Sequence, residues 1–311
     1  MLGLRAWLGV MLCLMVAACD GHAQGLLPGT CGLGPPMPLM VVMHGRAAVV
    51  TVGINQHLAH LILDTGSNVT VLNKASAEAF GVKPTGSAAA TFMAIGGNSH
   101  AENGRIAQLR VGSVDLPPLN VVMAPGLPED GVLGLDVLSR FDVDVDLSQG
   151  HVVLYPGKLC PHDQPPMLGR LLEIPAERSL VRGEGPNRTV APYLMVPVRL
   201  NGSVAMAVLD SGALRGTLVS APYAAKAGVD DAALAQDKIV KVNGFGTSSE
   251  LRLHRFDELL VGREVFDKPM LLVGGGVESL FAMVIGGDYF FRHRIWFSFS
   301  SDRVFVVPRT L

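Results

Sequence analysis

The chain has 311 residues, 25 Lys and Arg against 27 Asp and Glu, a formal net charge of −2, 49% hydrophobic residues and 17% charged ones. Without a basic excess or aromatic residues interleaved with basic ones, nucleic acid is excluded as an expected partner, and the apolar share is ample for two cores of ordinary domain size. Gly 36 and Pro 20 imply many turns, and with 6% aromatic residues the sheets must be packed mainly by Val, Leu, Ile, Met and Ala.

Arg5 followed by an almost wholly apolar stretch to Ala18 predicts a secretory signal peptide over residues 1–18, too short for a transmembrane helix. The residues Val16-Ala17-Ala18-Cys19 resemble the bacterial lipobox. That resemblance implies cleavage before Cys19 and lipid on it, so the lipid bilayer becomes a partner through an N-terminal acyl anchor. Asp20 resembles an inner-membrane retention signal, which makes the expected location the bacterial cell envelope, lipid-anchored and facing the periplasm. Plain secretion, with cleavage near Ala23, is the alternative. Residues 19–38, rich in Gly and Pro, read as a tether. Cys13 leaves with the leader, and Cys31 and Cys160 then bracket the first half of the chain and are free to pair in an oxidising compartment. Their spacing does not suit zinc, and the nine histidines form no ligand cluster, so no metal and no cofactor are expected.

An N-terminal lobe is expected over residues 39–158. It opens with short apolar strands at 39–43, 47–54 and 58–63, the last two joined at Asn55-Gln56. The segment HLILDTGSNVTVL then ends a strand on Asp64, and a short helix over 74–80 closes at Gly81. A hairpin around Gly96-Gly97-Asn98, strands near 119–124 and 141–147, and a closing strand at 151–155 complete it. No long helical period interrupts these strands, so the lobe reads as all-β.

Residues 159–190 are turn-rich around an apolar stretch at 168–174 and read as an inter-lobe segment. From 191 to 311 the order repeats. A strand at 193–200, a turn at Asn201-Gly202 and AMAVLDSGALRGTLV with Asp210 mirror the first lobe, followed by a helix over 221–227 and a hairpin around Gly244-Phe245-Gly246-Thr247. Late in each lobe Val132-Leu133-Gly134 answers to Val284-Ile285-Gly286. Gly134 follows Asp64 by 70 positions and Gly286 follows Asp210 by 76.

LDTGS with VLG, and LDSGA with VIG, resemble the aspartic proteases, as bilobal fusions of two retropepsin-like domains. The resemblance runs from about Leu39 to Val307. It implies two duplicated β-barrel lobes with short helices and an active site between them, in a monomeric pseudo-dimer whose substrate is an extended peptide or protein. Asp64 and Asp210 would be the catalytic pair, and Thr65 and Ser211 would cross-bond the two loops. Physical chemistry supports such a site. Two carboxyls within hydrogen-bond reach cannot both ionise cheaply, so they share a proton; the anionic half takes a proton from water and the acidic half gives one to a substrate carbonyl. Gly66 and Gly212 permit the tight turns that present the carboxylates, and Gly134 and Gly286 would let segments pack beneath those turns. Asp136 and Asp288 read as N-caps of short helices.

The hairpin tips at Ile95, Gly96 and Gly97 and at Gly244, Phe245 and Gly246 are candidate flaps over an extended substrate; surface hairpins without gating are the other reading. Thr70 answers to Thr217, with one more residue in the second turn, which carries Arg215. An arginine near the pair would stabilise both carboxylates as anions and oppose proton sharing, or point to solvent, or hold a substrate carboxylate. The leading expectation is therefore an aspartic endopeptidase. The alternative is a non-catalytic, peptide-binding envelope lipoprotein that keeps the cleft.

Overall fold

The computed structural model describes residues 31–86, 90–94, 97–180, 192–243, 248–274 and 281–309. Apolar segments give each lobe its central hairpin: Ala47–Ile54 pairs antiparallel with His57–Leu63, and Pro192–Leu200 with Ser203–Leu209. The turns are tight because their residues accept positive φ, 46° at Asn55 and 70° at Gln56 in the first lobe, 45° at Asn201 and 86° at Gly202 in the second, as two-residue hairpins require. A third strand then lies parallel to the second: Leu133 opposite Leu63, and Ile285 opposite Leu209. These strands are apolar on both faces and almost fully buried, as parallel strands generally are.

The sheets built on these cores have matching orders. In the first lobe, Ala47–Ile54, His57–Leu63, Gly131–Leu133, Val71–Asn73 and Leu119–Ala124 are successive neighbours, and Pro192–Leu200, Ser203–Leu209, Met283–Ile285, Leu218–Val219 and Met270–Val273 repeat the series. The helices are short, Lys74–Ala79 capped by the Asn73 side chain and Ala221–Lys226 capped by Ser220. The all-β, duplicated architecture expected from the repeat is the one observed.

A third, six-stranded sheet joins the lobes. Its middle strands, Asp142–Asp146 from the first lobe and His293–Ser298 from the second, pair antiparallel, with Val143 opposite Phe297. Val143 and Val145 face the common core, while Asp142, Asp144 and Asp146, also buried, find partners across the joint. Arg294 donates to Asp144 from Nε at 2.8 Å and from a terminal nitrogen at 2.5 Å. Asp142 accepts from the hydroxyls of Ser298 at 2.7 Å and Ser300 at 2.9 Å, and Asp146 pairs with Arg309. Large aromatic residues, Trp296, Phe297 and Phe305, fill this joint and are almost wholly buried, so the packing there is more aromatic than the composition led one to expect.

Two expected boundaries are woven more deeply into the body than a tether or linker would be. Cys31 is bonded to Cys160, with Cα atoms 5.0 Å apart, beside a small ladder between Gly32–Leu33 and Gly157–Lys158. Met37–Pro38 edges the inter-lobe sheet. Within 159–190, Leu172–Pro175 pairs with the C-terminal strand Arg303–Pro308, and Glu177–Leu180 pairs with Pro192–Leu200. That last pairing repeats Val41–His44 on Ala47–Ile54, so the second repeat begins before residue 191. From Cys31 onward the chain forms one body.

Candidate functional site

The parallel strand pair in each lobe decides where the acids go. Asp64 and Asp210 leave the C-terminal ends of His57–Leu63 and Ser203–Leu209, each anchored by its own backbone N–H, to Leu133 O at 3.1 Å and to Ile285 O at 2.9 Å. The chain turns at once after each acid, and the two turns meet between the lobes. Each carboxyl comes to lie against the opposite loop, Asp210 beside Gly66 and Asp64 beside Gly212.

Four buried hydrogen bonds lock the loops together. Thr65 Oγ1 donates to Leu209 O at 2.8 Å and accepts from Ser211 N–H at 3.0 Å. Ser211 Oγ donates to Leu63 O at 2.8 Å and accepts from Thr65 N–H at 3.1 Å. Each hydroxyl thus satisfies one donor and one acceptor of the opposite lobe, where water does not reach: Thr65 is 2% exposed and Ser211 1%. Gly66 and Gly212 sit where each loop meets the other's acid. A Cβ on Gly66 would overlap the Asp210 carboxyl, and one on Gly212 would stand 2.6 Å from Asp64 Cγ.

Backbone donors hold the carboxylates from the other side. Gly66 N–H donates to Asp64 Oδ1 at 2.9 Å; Gly212 N–H and Ala213 N–H donate to Asp210 Oδ1 at 2.7 and 3.1 Å. Burial pushes both carboxyls above the usual carboxylate range. The charge of one acid adds to the burial of the other, and the N–H groups that donate to them work in the opposite direction. A buried pair of like groups lowers its energy by keeping one proton between them.

A second layer lies beneath the loops. Gly134 packs so closely on the Val69 carbonyl, and Gly286 on those of Gly216 and Ala213, that neither has room for a side chain. Thr70 Oγ1 donates to Asp136 Oδ1 at 2.7 Å and accepts from Gly134 N–H at 3.2 Å. Thr217 Oγ1 repeats both bonds, to Asp288 Oδ1 at 2.8 Å and from Gly286 N–H at 3.3 Å. This corrects the reading of Asp136 and Asp288 as N-caps. Gly134 and Gly286 occupy the cap positions, without side-chain capping, and the acids lie in the first turn, where they brace the loop threonines. Burial raises Asp136 to about 6, against the hydrogen bonds from Thr70.

Arg215 is exposed, and among the described residues it has no ion pair with either acid. The extra residue of the second turn is absorbed locally, by Leu214 N–H donating to Gly212 O at 2.9 Å and Gly216 N–H to Ala213 O at 3.2 Å. Of the candidate flap residues, Ile95, Gly96, Gly244, Phe245 and Gly246 lie outside the described residues, as does Cys19. The strands leading to both tips are described: Ala90–Ala94 pairs with Gly97–Ile106 such that Ala94 faces Gly97, so Gly97 and Asn98, expected in the turn, are strand residues. Asn243 likewise faces Ser248.

Sequence reasoning passed over Tyr193, which is 4% exposed and reaches from the second lobe into the first aspartate loop, where its hydroxyl donates to Gly66 O at 3.2 Å. It also passed over the inter-lobe acids. Their signal was present, since the period-two alternation of DVDVD faces the equally alternating Arg294, Trp296, Ser298 and Ser300.

Comparison with protein families matches residues 50–140 to "gag-polyprotein putative aspartyl protease" and residues 196–289 to "Aspartyl protease". The matches lie in tandem, and each spans one aspartate loop with its glycine-bearing partner segment. Comparison with curated proteins gave no match.

Proposed function

Because the chain belongs to the bilobal retropepsin-like aspartyl protease superfamily, we propose that it is an aspartic endopeptidase in which Asp64 and Asp210 together activate a water against a peptide bond. The observation that carries this reading is the pair of mirrored loops that set each buried acid against the glycine of the opposite loop and cross-bond through Thr65 and Ser211, in surroundings that raise both proton affinities.

One proton shared by the pair leaves one half anionic. That half takes a proton from the attacking water while the other half donates to the carbonyl oxygen, giving a neutral gem-diol. Collapse of the gem-diol breaks the C–N bond as the protonated acid gives its proton to the leaving nitrogen and the anionic acid takes one from a gem-diol hydroxyl, so that the pair again holds one proton. The protein needs no serine or cysteine nucleophile for this. Its contribution is preorganisation: the Thr65 and Ser211 bonds fix the separation of the acids, and the inward N–H groups hold their orientation. An extended peptide between the lobes is the substrate, and we propose as its cover the hairpins of Ala90–Ala94 with Gly97–Ile106 and of Lys238–Asn243 with Ser248–Arg255.

The non-catalytic reading drew on Arg215, and the exposed position of that residue, apart from both acids, gives it no support. For the setting, we propose a lipid anchor on Cys19 that holds the body at the periplasmic face of the inner membrane. Among the described residues no helix is long and apolar enough to cross a membrane. Replacing Cys19 by Ser is expected to release the protein from membrane fractions or block its maturation, and unchanged processing and attachment would refute the anchor.

The activity is tested by exposing a diverse peptide library to the purified protein between acid and neutral pH. Cleavage is expected to stop in both Asp64→Asn and Asp210→Asn and to be blocked by a statine-type inhibitor. Undiminished cleavage by either variant refutes the shared-pair mechanism.

A further inference from the structure

The two aspartate loops solve one problem in different ways. In the second lobe the carbonyl of Gly212 is satisfied inside its own lengthened turn, by Leu214 N–H at 2.9 Å. The first turn is one residue shorter, and the matching carbonyl of Gly66 is instead satisfied from the opposite lobe, by the Tyr193 hydroxyl at 3.2 Å. By strand register Tyr193 corresponds to Ala47 of the first lobe: Met195 faces Val208 as Val49 faces Ile62, and Tyr193 and Ala47 each stand two residues earlier. The first lobe therefore offers no such group in return. The ring is fixed edge-on against Phe281, with centroids 5.1 Å apart.

The bond to Gly66 O matters because of where that peptide leads. Gly66 N–H itself donates to Asp64 Oδ1 at 2.9 Å, and Ser67 N–H turns back onto the Asp64 backbone carbonyl at 3.4 Å. A donor on the Gly66 carbonyl pins this residue from the opposite lobe, so that its N–H stays aimed at the carboxyl. We propose that Tyr193 is a positioning residue for the acid pair, holding Gly66 where its N–H meets the Asp64 carboxyl and so favouring the anionic form of Asp64, with the result that the two acids, alike in sequence, are unlike in proton affinity. This rests on the shared-proton reading above. The other charged groups of the neighbouring elements stand back from the pair: Asp136 and Asp288 are turned to Thr70 and Thr217, Arg140 donates to the Asp136 carbonyl, Arg46 lies over the Phe291 ring, and Arg215 is exposed.

The test uses Tyr193→Phe, which keeps the ring and its contact with Phe281 and removes only the hydroxyl. Carboxyl 13C titration of the full-length protein, with Asp64→Asn and Asp210→Asn for assignment, reads the pair without any substrate. In the parent protein two well-separated steps are expected. In Tyr193→Phe the lower step is expected to move up by about half a unit or more, on a scale where one unit is a tenfold change in proton affinity. Where cleavage is measured, the acidic limb of kcat/KM should move with it and kcat should fall more than KM changes. Two ordinary, independent carboxyl titrations in the parent would overturn the shared pair, and this inference with it. A shared pair that titrates identically in Tyr193→Phe would overturn the role of Tyr193 alone. Tyr193→Leu, which also removes the ring, should give the same titration shift with a further loss of thermal stability; a shift that appears only in Tyr193→Leu would assign the effect to packing and refute the proposal.

Discussion

Replacing Thr65 by Val keeps the shape of the side chain and exchanges its hydroxyl for a methyl group. Two hydrogen bonds disappear, to Leu209 O and from Ser211 N–H, in a place too buried for water to take over. Leaving a buried peptide group without this partner costs about 1–3 kcal/mol, so the substitution should destabilise by about 2–4 kcal/mol, a large part of the roughly 5–15 kcal/mol of a typical folded domain. Ser211→Ala removes the reciprocal bonds to Leu63 O and from Thr65 N–H and should cost a similar amount. The four bonds hold one joint, so cutting either hydroxyl already loosens the loop that the other grips. The double variant should therefore cost less than the sum of the two, by about 1 kcal/mol or more. Urea unfolding at 25 °C, followed through the buried Trp296, measures all three. Single losses below about 0.5 kcal/mol that simply add would show that the crossed bonds contribute nothing net, and the account of how the acids are held together would fail.

Three further outcomes follow from the same geometry. The Asp136 carboxyl is raised from 3.8 to about 6 by burial, so its contribution to stability is fully present below pH 3.8 and is lost as pH rises through 6; between pH 4 and 7.5 the parent should lose about 2.5 kcal/mol more than Asp136→Asn, and parallel urea midpoints in the two proteins would refute this. The disulfide closes a loop with a sequence separation of 129, worth up to about 5 kcal/mol on a chain-entropy model; exchanging Cys31 and Cys160 for Ser should lower the thermal midpoint, and an unchanged midpoint would mean that the Gly32–Leu33 ladder holds without it. Asp144→Ala strands the Arg294 guanidinium at the inter-lobe joint and should cost about 3–5 kcal/mol, most of it recovered when Arg294 is also replaced by Met; no recovery in the double variant would show that the carboxylate acts through something other than Arg294.

Much of the fold was legible because it is written twice. A hairpin turned by Asn55-Gln56, a hairpin turned by Asn201-Gly202, and an apolar-apolar-Gly segment late in each half constrain one another, so errors in single strands cannot accumulate. The misreadings fell where partners come from far along the chain. Asp136 resembles an N-cap when only its neighbours are considered, since an acid early in a helix usually serves the backbone N–H groups there. Thr70, 66 positions earlier, claims it instead. The strand Glu177–Leu180 sits in a turn-rich stretch, and only its pairing with Pro192–Leu200 reveals the register of the second lobe.

The chain by itself determined that two similar β lobes form and that each ends a strand on an acid, because strand period, turn residues and the DTG and DSG loops are local properties of the sequence. Whether those acids would meet, and as equals or not, was decided only by tertiary structure. Proton affinity depends on burial and on which donors converge from both lobes, and the two loops receive different ones: Tyr193 braces the first, while the added residue beside Arg215 lets the second brace itself.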